Sequence, residues 1–305
     1  MDINRGNMDS LFEEYEVSFT DGFNSGRESS ILDDIAMVMP STTAATVHNW
    51  LNQIPQMREW IGDRLVNNIA SDGMTVKNKR FEATIEMPRT DIEDDQYGLY
   101  TPLVGLMGEN AAVYPDLALV AEMVSNPNWG ADASPFFGTT RTYGDATISN
   151  YVTTALTETT FEAAVTAIAS YQGHSGEPLN ASPYALVIGP SLRTDAFDIL
   201  KNDMRATAAT DGVSVQNRNK GLVQPLISSR LVGDNADDWF LLAQVGGIRP
   251  VVWQDRIKAE LQRQRWSIDS EHTFETDDFQ IGTRSRGVAF LTLPHLAYAG
   301  LVSQA

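Results

Sequence analysis

Eight consecutive residues, Arg80–Met87, alternate between two faces without a break, with Phe81, Ala83, Ile85 and Met87 on one and Arg80, Glu82, Thr84 and Glu86 on the other. A period of two predicts a half-buried strand. Together with Met74–Lys77 it suggests a long hairpin. Directly after it, Thr90-Asp-Ile-Glu93 fits a capping box, which places Asp91, Glu93, Asp94 and Asp95 at a helix start, where the macrodipole favours acids. Leu103, Leu106, Met107, Ala111 and Tyr114 then keep helical spacing, as do Leu117, Val120, Ala121 and Val124 beyond Pro115, predicting one long, kinked helix.

The flanking stretches are less regular. Residues 1–50 show only a short helix-like piece around Leu11–Val17 and the apolar Ile35–Met39, which reads as a buried strand. Residues 1–34 hold nine acids against Arg5 and Arg27. Two readings fit: a solvated, partly disordered leader, or an arm that orders on a neighbouring subunit. From Trp50 to Ile69 the apolar spacing is near-helical, interrupted by Pro55, and Asp72-Gly73 supplies a turn. Residues 126–150, rich in Asn, Pro, Gly and Thr, read as a loop or boundary. The second half alternates helices (Phe161–Ile168, Ser191–Arg205) with strands (Tyr184–Gly189, Pro225–Val232, Trp239–Val245, Pro250–Gln254, Arg265–Phe274, Gly287–Leu293), which is α+β or α/β grammar.

Composition narrows the function classes. The 305 residues include 42% hydrophobic side chains, enough for a large core and about two domains. No apolar run is long enough to cross a bilayer. The absence of cysteine excludes disulfides, thiolate metal sites and cysteine nucleophiles. A net charge of −18 argues against gripping nucleic acid, which requires clustered Lys and Arg on phosphates.

Enzymatic signatures are missing. His48, His174, His272 and His295 lie far apart in the sequence, in no metal-binding spacing. Gly189-Pro-Ser-Leu-Arg193 lacks the second glycine of a nucleophile elbow, so Ser191 reads as a helix N-cap. Gly105-Leu-Met-Gly108 and Gly246-Gly247 belong to no phosphate loop. No catalytic residue, metal ligand or cofactor is expected. Two charged groups remain: the cations Lys77, Lys79 and Arg80, and the acids Asp91, Glu93, Asp94 and Asp95. The cations read either as a charged edge that discourages strand aggregation or as a contact for a neighbour's acids. The acids read as helix-start electrostatics, as a partner for such a basic patch or, less readily, as a cation site.

The run Asn78–Leu103 (NKRFEATIEMPRTDIEDDQYGLYTPL), continued by Met107–Asp116 (MGENAAVYPD), resembles the signature of the Mu-like phage major head subunit family. Ile35–Thr42, Trp50-Leu51, Glu59–Arg64, Asp238–Leu242, Pro250–Arg256 and Phe279–Arg284 also resemble segments of that family. The resemblance implies the α+β tailed-phage major capsid fold. Its parts would be an N-terminal arm (1–52), an extended loop (53–92), a peripheral domain with a spine helix (93–155 and 255–305) and an axial domain (156–254). It further implies a structural subunit of the virion, assembled in the host cytoplasm. Its partners would be copies of itself in hexamers and pentamers, with scaffold, portal and decoration proteins as possible others. The shell would enclose double-stranded DNA without sequence-specific binding and without a membrane. No N-terminal scaffolding segment fused to the chain is expected. An encapsulin-like compartment and a soluble α/β enzyme or binding protein are the alternatives.

Overall fold

A computed structural model describes residues 4–48, 74–94, 98–130, 133–143, 146–173, 177–206, 214–265 and 275–304. The near-helical stretch of Trp50–Ile69, the Asp72-Gly73 turn, Asp95 and most of Arg265–Phe274 fall outside them.

The chain opens with α1 (Arg5–Ser29), α2 (Leu32–Ile35), β1 (Met37–Pro40) and β2 (Ala45–His48), and resumes with β3 (Met74–Lys77), β4 (Lys79–Pro88) and α3 (Arg89–Asp94). The 26-residue helix α4 (Tyr100–Ser125) follows with Pro115 inside it, then β5 (Arg141–Tyr143), β6 (Ala146–Ile148), β7 (Tyr151–Val152) and α5 (Glu158–Ser170). Next come β8 (Ser182–Ile188), α6 (Arg193–Leu200), β9 (Met204–Ala206), β10 (Ser214–Gln216), β11 (Gln224–Ile227) and β12 (Trp239–Gln244). The long strands β13 (Val251–Arg265) and β14 (Asp278–Leu291) precede the short β15 (Ala297–Gly300).

Two sheets organise the chain. A four-stranded sheet runs β1-β13-β14-β4 and a five-stranded sheet runs β11-β8-β12-β15-β7. The larger core gathers β8, β12 and β15 with Phe161, Ala164 and Ile168 of α5, Ala196, Ile199 and Leu200 of α6, and Leu119, Val120 and Met123 of α4. A second core joins Met8, Phe12, Tyr15 and Phe19 of α1 to Val104 and Met107 of α4, Met87 of β4, and Phe279 and Ile281 of β14. Helix α4 therefore contributes one half to each core. β13 and β14 lie in the sheet that carries α4, whereas β15 joins β12, and β7 joins β15. Residues 255–305 thus contribute strands to both sheets.

Four expectations change. The acidic leader is a helix of 25 residues packed along α4. Its apolar residues Met8, Phe12, Tyr15 and Phe19 recur at helical spacing, which lines up one face while the acids take the other. The N-terminus is capped by Asn4, whose side chain accepts from the Asn7 amide at 2.9 Å. β3 does not pair with β4: it pairs antiparallel with β2, while β4 pairs with β14. Asn78 marks the change of partner. The region 126–150 is packed rather than superficial, with Trp129, Phe136 and Phe137 buried. Arg141 holds it by donating to the carbonyls of Ser134, Pro135 and Phe136 while stacking over Trp129. Ser191 caps nothing. Its hydroxyl donates to the Ala236 carbonyl, and α6 starts only at Arg193.

The α1–α4 contact is made by backbones. A Cβ on Gly22 would lie 1.9 Å from the Gly105 carbonyl oxygen, one on Gly26 2.6 Å from that of Glu109, and one on Gly108 2.2 Å from that of Phe19. Alanine is the better helix former by about 1 kcal/mol, but here it meets fixed backbone on the facing helix, and overpacking costs about 1–3 kcal/mol. Where α1 ends, the buried Asp116 carboxylate accepts from the Ser30 hydroxyl at 2.8 Å and the Ile31 amide at 2.9 Å, tying the α1–α2 junction to α4.

Two outcomes follow from this packing. Gly108→Ala should lower the thermal stability of the subunit despite its helix preference, and limited proteolysis should then cut first within α1. An unchanged melting temperature would contradict the close approach. Burial, then the nearby Arg141 charge, pushes buried His295 down from 6.5 to about 4. Its neutral form is the one the fold accepts. The stability this gives is complete above pH 6.5 and lost as pH falls towards 4, about 3 kcal/mol in all. His295→Gln should flatten the stability profile, measured by urea denaturation, over that window.

Candidate assembly surface

The four-stranded sheet has one face against α4 and one turned away, set by strand alternation. The α4 face carries Phe81, Ile85 and Met87 of β4, with the Phe81 ring tilted against Tyr114 of α4 at a centroid distance of 4.5 Å. Lys79 shares this face, and its charge acts on Glu122 of α4, whose carboxyl is raised by burial first and lowered by the lysine second. Beside these residues a groove of about 590 Å³ runs between β4 and α4, lined by Ile85, Leu103, Leu106 and Tyr114 among others. Leu103 and Leu106 are 44% and 51% exposed. Both belong to the helical pattern read from the sequence, and α4 is apolar on more sides than the described residues cover.

The opposite face is graded along its length. At one end Val252, Val288 and Phe290 pack beneath Val76 of β3. Next comes a buried polar chain. His48 Nε2 lies 2.9 Å from Gln254 Oε1, and Gln254 donates to Asn78 Oδ1 at 2.8 Å. Asn78 in turn donates to the Ser41 hydroxyl and the Thr43 carbonyl. The direction of these bonds makes His48 Nε2 the donor. This network, with His48 stacked on Phe290 at 5.1 Å, fastens the β2–β3 pair to β13. That pair holds together the two ends of segment 49–73. Beyond the network the face turns basic, with Arg80 directly across from Arg286, and Arg256 and Arg284 beside them.

The basic group read from the sequence is therefore divided. Lys77 is exposed on β3, Lys79 turns to α4, and Arg80 joins arginines from β13 and β14. Neighbours on a strand point to opposite faces, so three cations in four residues do not make one patch. Sequence reading missed Arg256, Arg284 and Arg286 because strand register, not spacing, brings them to Arg80. The acids are partly engaged within the chain. Tyr100 donates to Asp91 at 2.8 Å, and Arg89 pairs with Glu93 at 3.2 Å and with Asp277 at 3.7 Å. Asp94 is exposed, and Asp95 lies outside the described residues. Helix α3 starts at Arg89, so Thr90 sits inside it rather than capping it. Among the described residues, no group of three His, Cys, Asp or Glu is arranged to hold a metal. No helix there is long and apolar enough to cross a membrane.

The family model of the Mu-like prophage major head subunit gpT matches residues 8–155, 143–231 and 216–302. This chain belongs to that family. The major capsid protein of Escherichia phage Mu is 39% identical over 102 residues, 33% of this chain and 33% of that protein. The Mu-like prophage FluMu major head subunit of Haemophilus influenzae is 41% identical over 106 residues, 35% of this chain and 34% of that protein. The matched stretches span about a third of these curated relatives. Among solved structures, a chain of the procapsid of bacteriophage JBD30 aligns with a TM-score of 0.57 over 97% of this chain and 75% of that chain, at 24% identity. The fold is thus the α+β tailed-phage major capsid fold.

In this gpT-family member the polar chain from His48 to Asn78 ties the β2–β3 pair to β13. Gln254→Leu strips both neighbours of their partner, and a half-satisfied buried network is worse than none. It should lower stability by about 1–3 kcal/mol and speed hydrogen exchange at the amides of β2 and β3 more than at those of β12. Equal protection of the two regions in the variant would show that the network does not anchor the ribbon.

Proposed function

We propose that this chain is a major capsid protein, a structural subunit rather than an enzyme, whose work is repeated association with copies of itself into the hexamers and pentamers of an icosahedral phage head. The family match along nearly the whole chain carries this reading. The subunit's surfaces support it: an apolar groove beside exposed Leu103 and Leu106, and a sheet face where Arg80 and Arg286 oppose each other with no ion pair among the described residues. Such surfaces are what heterologous contacts between copies would cover, and their rotation sets whether the assembly closes. The arm, extended loop, peripheral and axial parts expected from the sequence remain our assignment of roles. Scaffold, portal and decoration proteins are the further partners in this reading, and solved capsid structures of JBD30 include one decorated with minor capsid protein trimers. The net charge of −18 suits a wall that double-stranded DNA slides past.

Negative-stain electron microscopy of the purified chain, with size-exclusion chromatography at low and high salt, tests this. Closed shells, or rings of five or six subunits, are expected. A chain that stays monomeric at high concentration in both salts, alone and when co-expressed with the other head proteins, would overturn it.

A further inference from the structure

Arg80 and Arg286 face each other directly across β4 and β14, an arrangement that is destabilising on its own. Arg256, at the irregularity in β13 between Asp255 and Ile257, adds a third guanidinium, and Arg284 a fourth. Nε and Nη1 of Arg256 and Nε of Arg286 are shielded from solvent yet donate no hydrogen bond among the described residues. Arg286 is pulled below the ordinary arginine range, by desolvation first and then by Arg256, Arg80 and Arg284. The nearest acids by register, Glu82 and Glu260, flank Arg284 rather than the Arg80–Arg286 pair, and neither forms an ion pair there.

The complementary surface is in the same chain. On α1, Glu13, Asp21 and Glu28 lie on the side away from the buried face of Met8, Phe12, Tyr15 and Phe19, and Glu16 lies on its flank. All four are exposed, and none makes an ion pair among the described residues. Val17, within this stripe, is 62% exposed. One face of the subunit thus concentrates uncommitted arginines, and another concentrates uncommitted carboxylates.

We propose that the arginine cluster of one copy, Arg80, Arg256, Arg284 and Arg286, receives the acidic outer face of α1 from a second copy. The contact deepens the capsid reading and rests on it. Carboxylates accept guanidinium donors in pairs, so docking on the exposed Arg80 and Arg284 adds negative charge beside the cluster and relieves the cross-strand repulsion. It is asymmetric, with different surfaces from each copy, and so propagates from subunit to subunit.

Assembly at low salt of Arg80→Glu/Arg286→Glu, of the milder Arg80→Gln/Arg286→Gln, and of the swap combining Arg80→Glu/Arg286→Glu with Glu13→Arg/Glu16→Arg tests it beside the wild type. Both double variants should lose about tenfold or more in yield of rings or shells, and the swap should recover it. Arg286→Gln alone should raise the melting temperature of the unassembled subunit, an effect that a merely structural arginine would not give. Double variants that assemble like the wild type, or a swap that recovers nothing, would overturn the contact while leaving the capsid reading intact. A wild type that never assembles would remove both. Retained assembly with loss of binding to a short DNA duplex would reassign the cluster to a nucleic acid.

Discussion

One helix holds this fold together because it is apolar on more than one side. Val104 and Met107 of α4 sit among α1, β4 and β14, while Leu119, Val120 and Met123 of the same helix sit among β8, β12 and the helices beside them. A helix with a single apolar stripe serves one layer, whereas this one serves two and still leaves Leu103 and Leu106 in the open. Asp116, between the two sets, is buried with both oxygens engaged, so the change of layer coincides with the point where α1 gives way to α2.

How much of this was readable in the amino acids depended on whether the signal was local. Strand β4 and helix α4 follow directly from the spacing of Phe81–Met87 and Leu103–Val124, because alternation and helical periodicity are properties of consecutive residues. Helix α1 was underestimated. Its apolar residues are diluted by acids, and its last two turns dock through Gly22 and Gly26, which look like helix breakers until a facing backbone is known. The pairing of β3 with β2 rather than β4 is a long-range choice that no local pattern encodes. The candidate site was half readable. Arg80 was found, but its neighbours Arg256, Arg284 and Arg286 arrive from strands far along the chain through the β13–β14–β4 register. The acids near Asp91 were visible, but their engagement by Tyr100 and Arg89 was not.

The distribution of polar groups separates what serves the subunit from what faces outward. Where the chain needs rigidity its buried polar groups are tied to one another: His48 with Gln254 and Asn78, Arg141 with three carbonyls, Asn150 with the carbonyls of Phe136, Pro294 and Ala297. Elsewhere, at the Arg80–Arg286 pair and on the outer side of α1, like charges are gathered that make no ion pair among the described residues. A protein that ended its task on folding would gain by mixing those signs. Keeping them apart lowers the stability of the isolated subunit and is sensible only when a second molecule supplies the balance.

The shared helix also has a mechanical meaning. At 1.5 Å per residue, 26 residues make a rod about 39 Å long. One end is gripped by the layer holding α1 and the other by the five-stranded sheet. A rotation of only about 5° at one grip moves the far end by roughly 3 Å, given that rise per residue. That is comparable to the spacing between hydrogen-bonded atoms, and enough to make or break a row of contacts. Load applied to one layer is therefore passed along α4 to the other, with Pro115 as the place where the rod can bend. A wall built from such levers shares stress among its units.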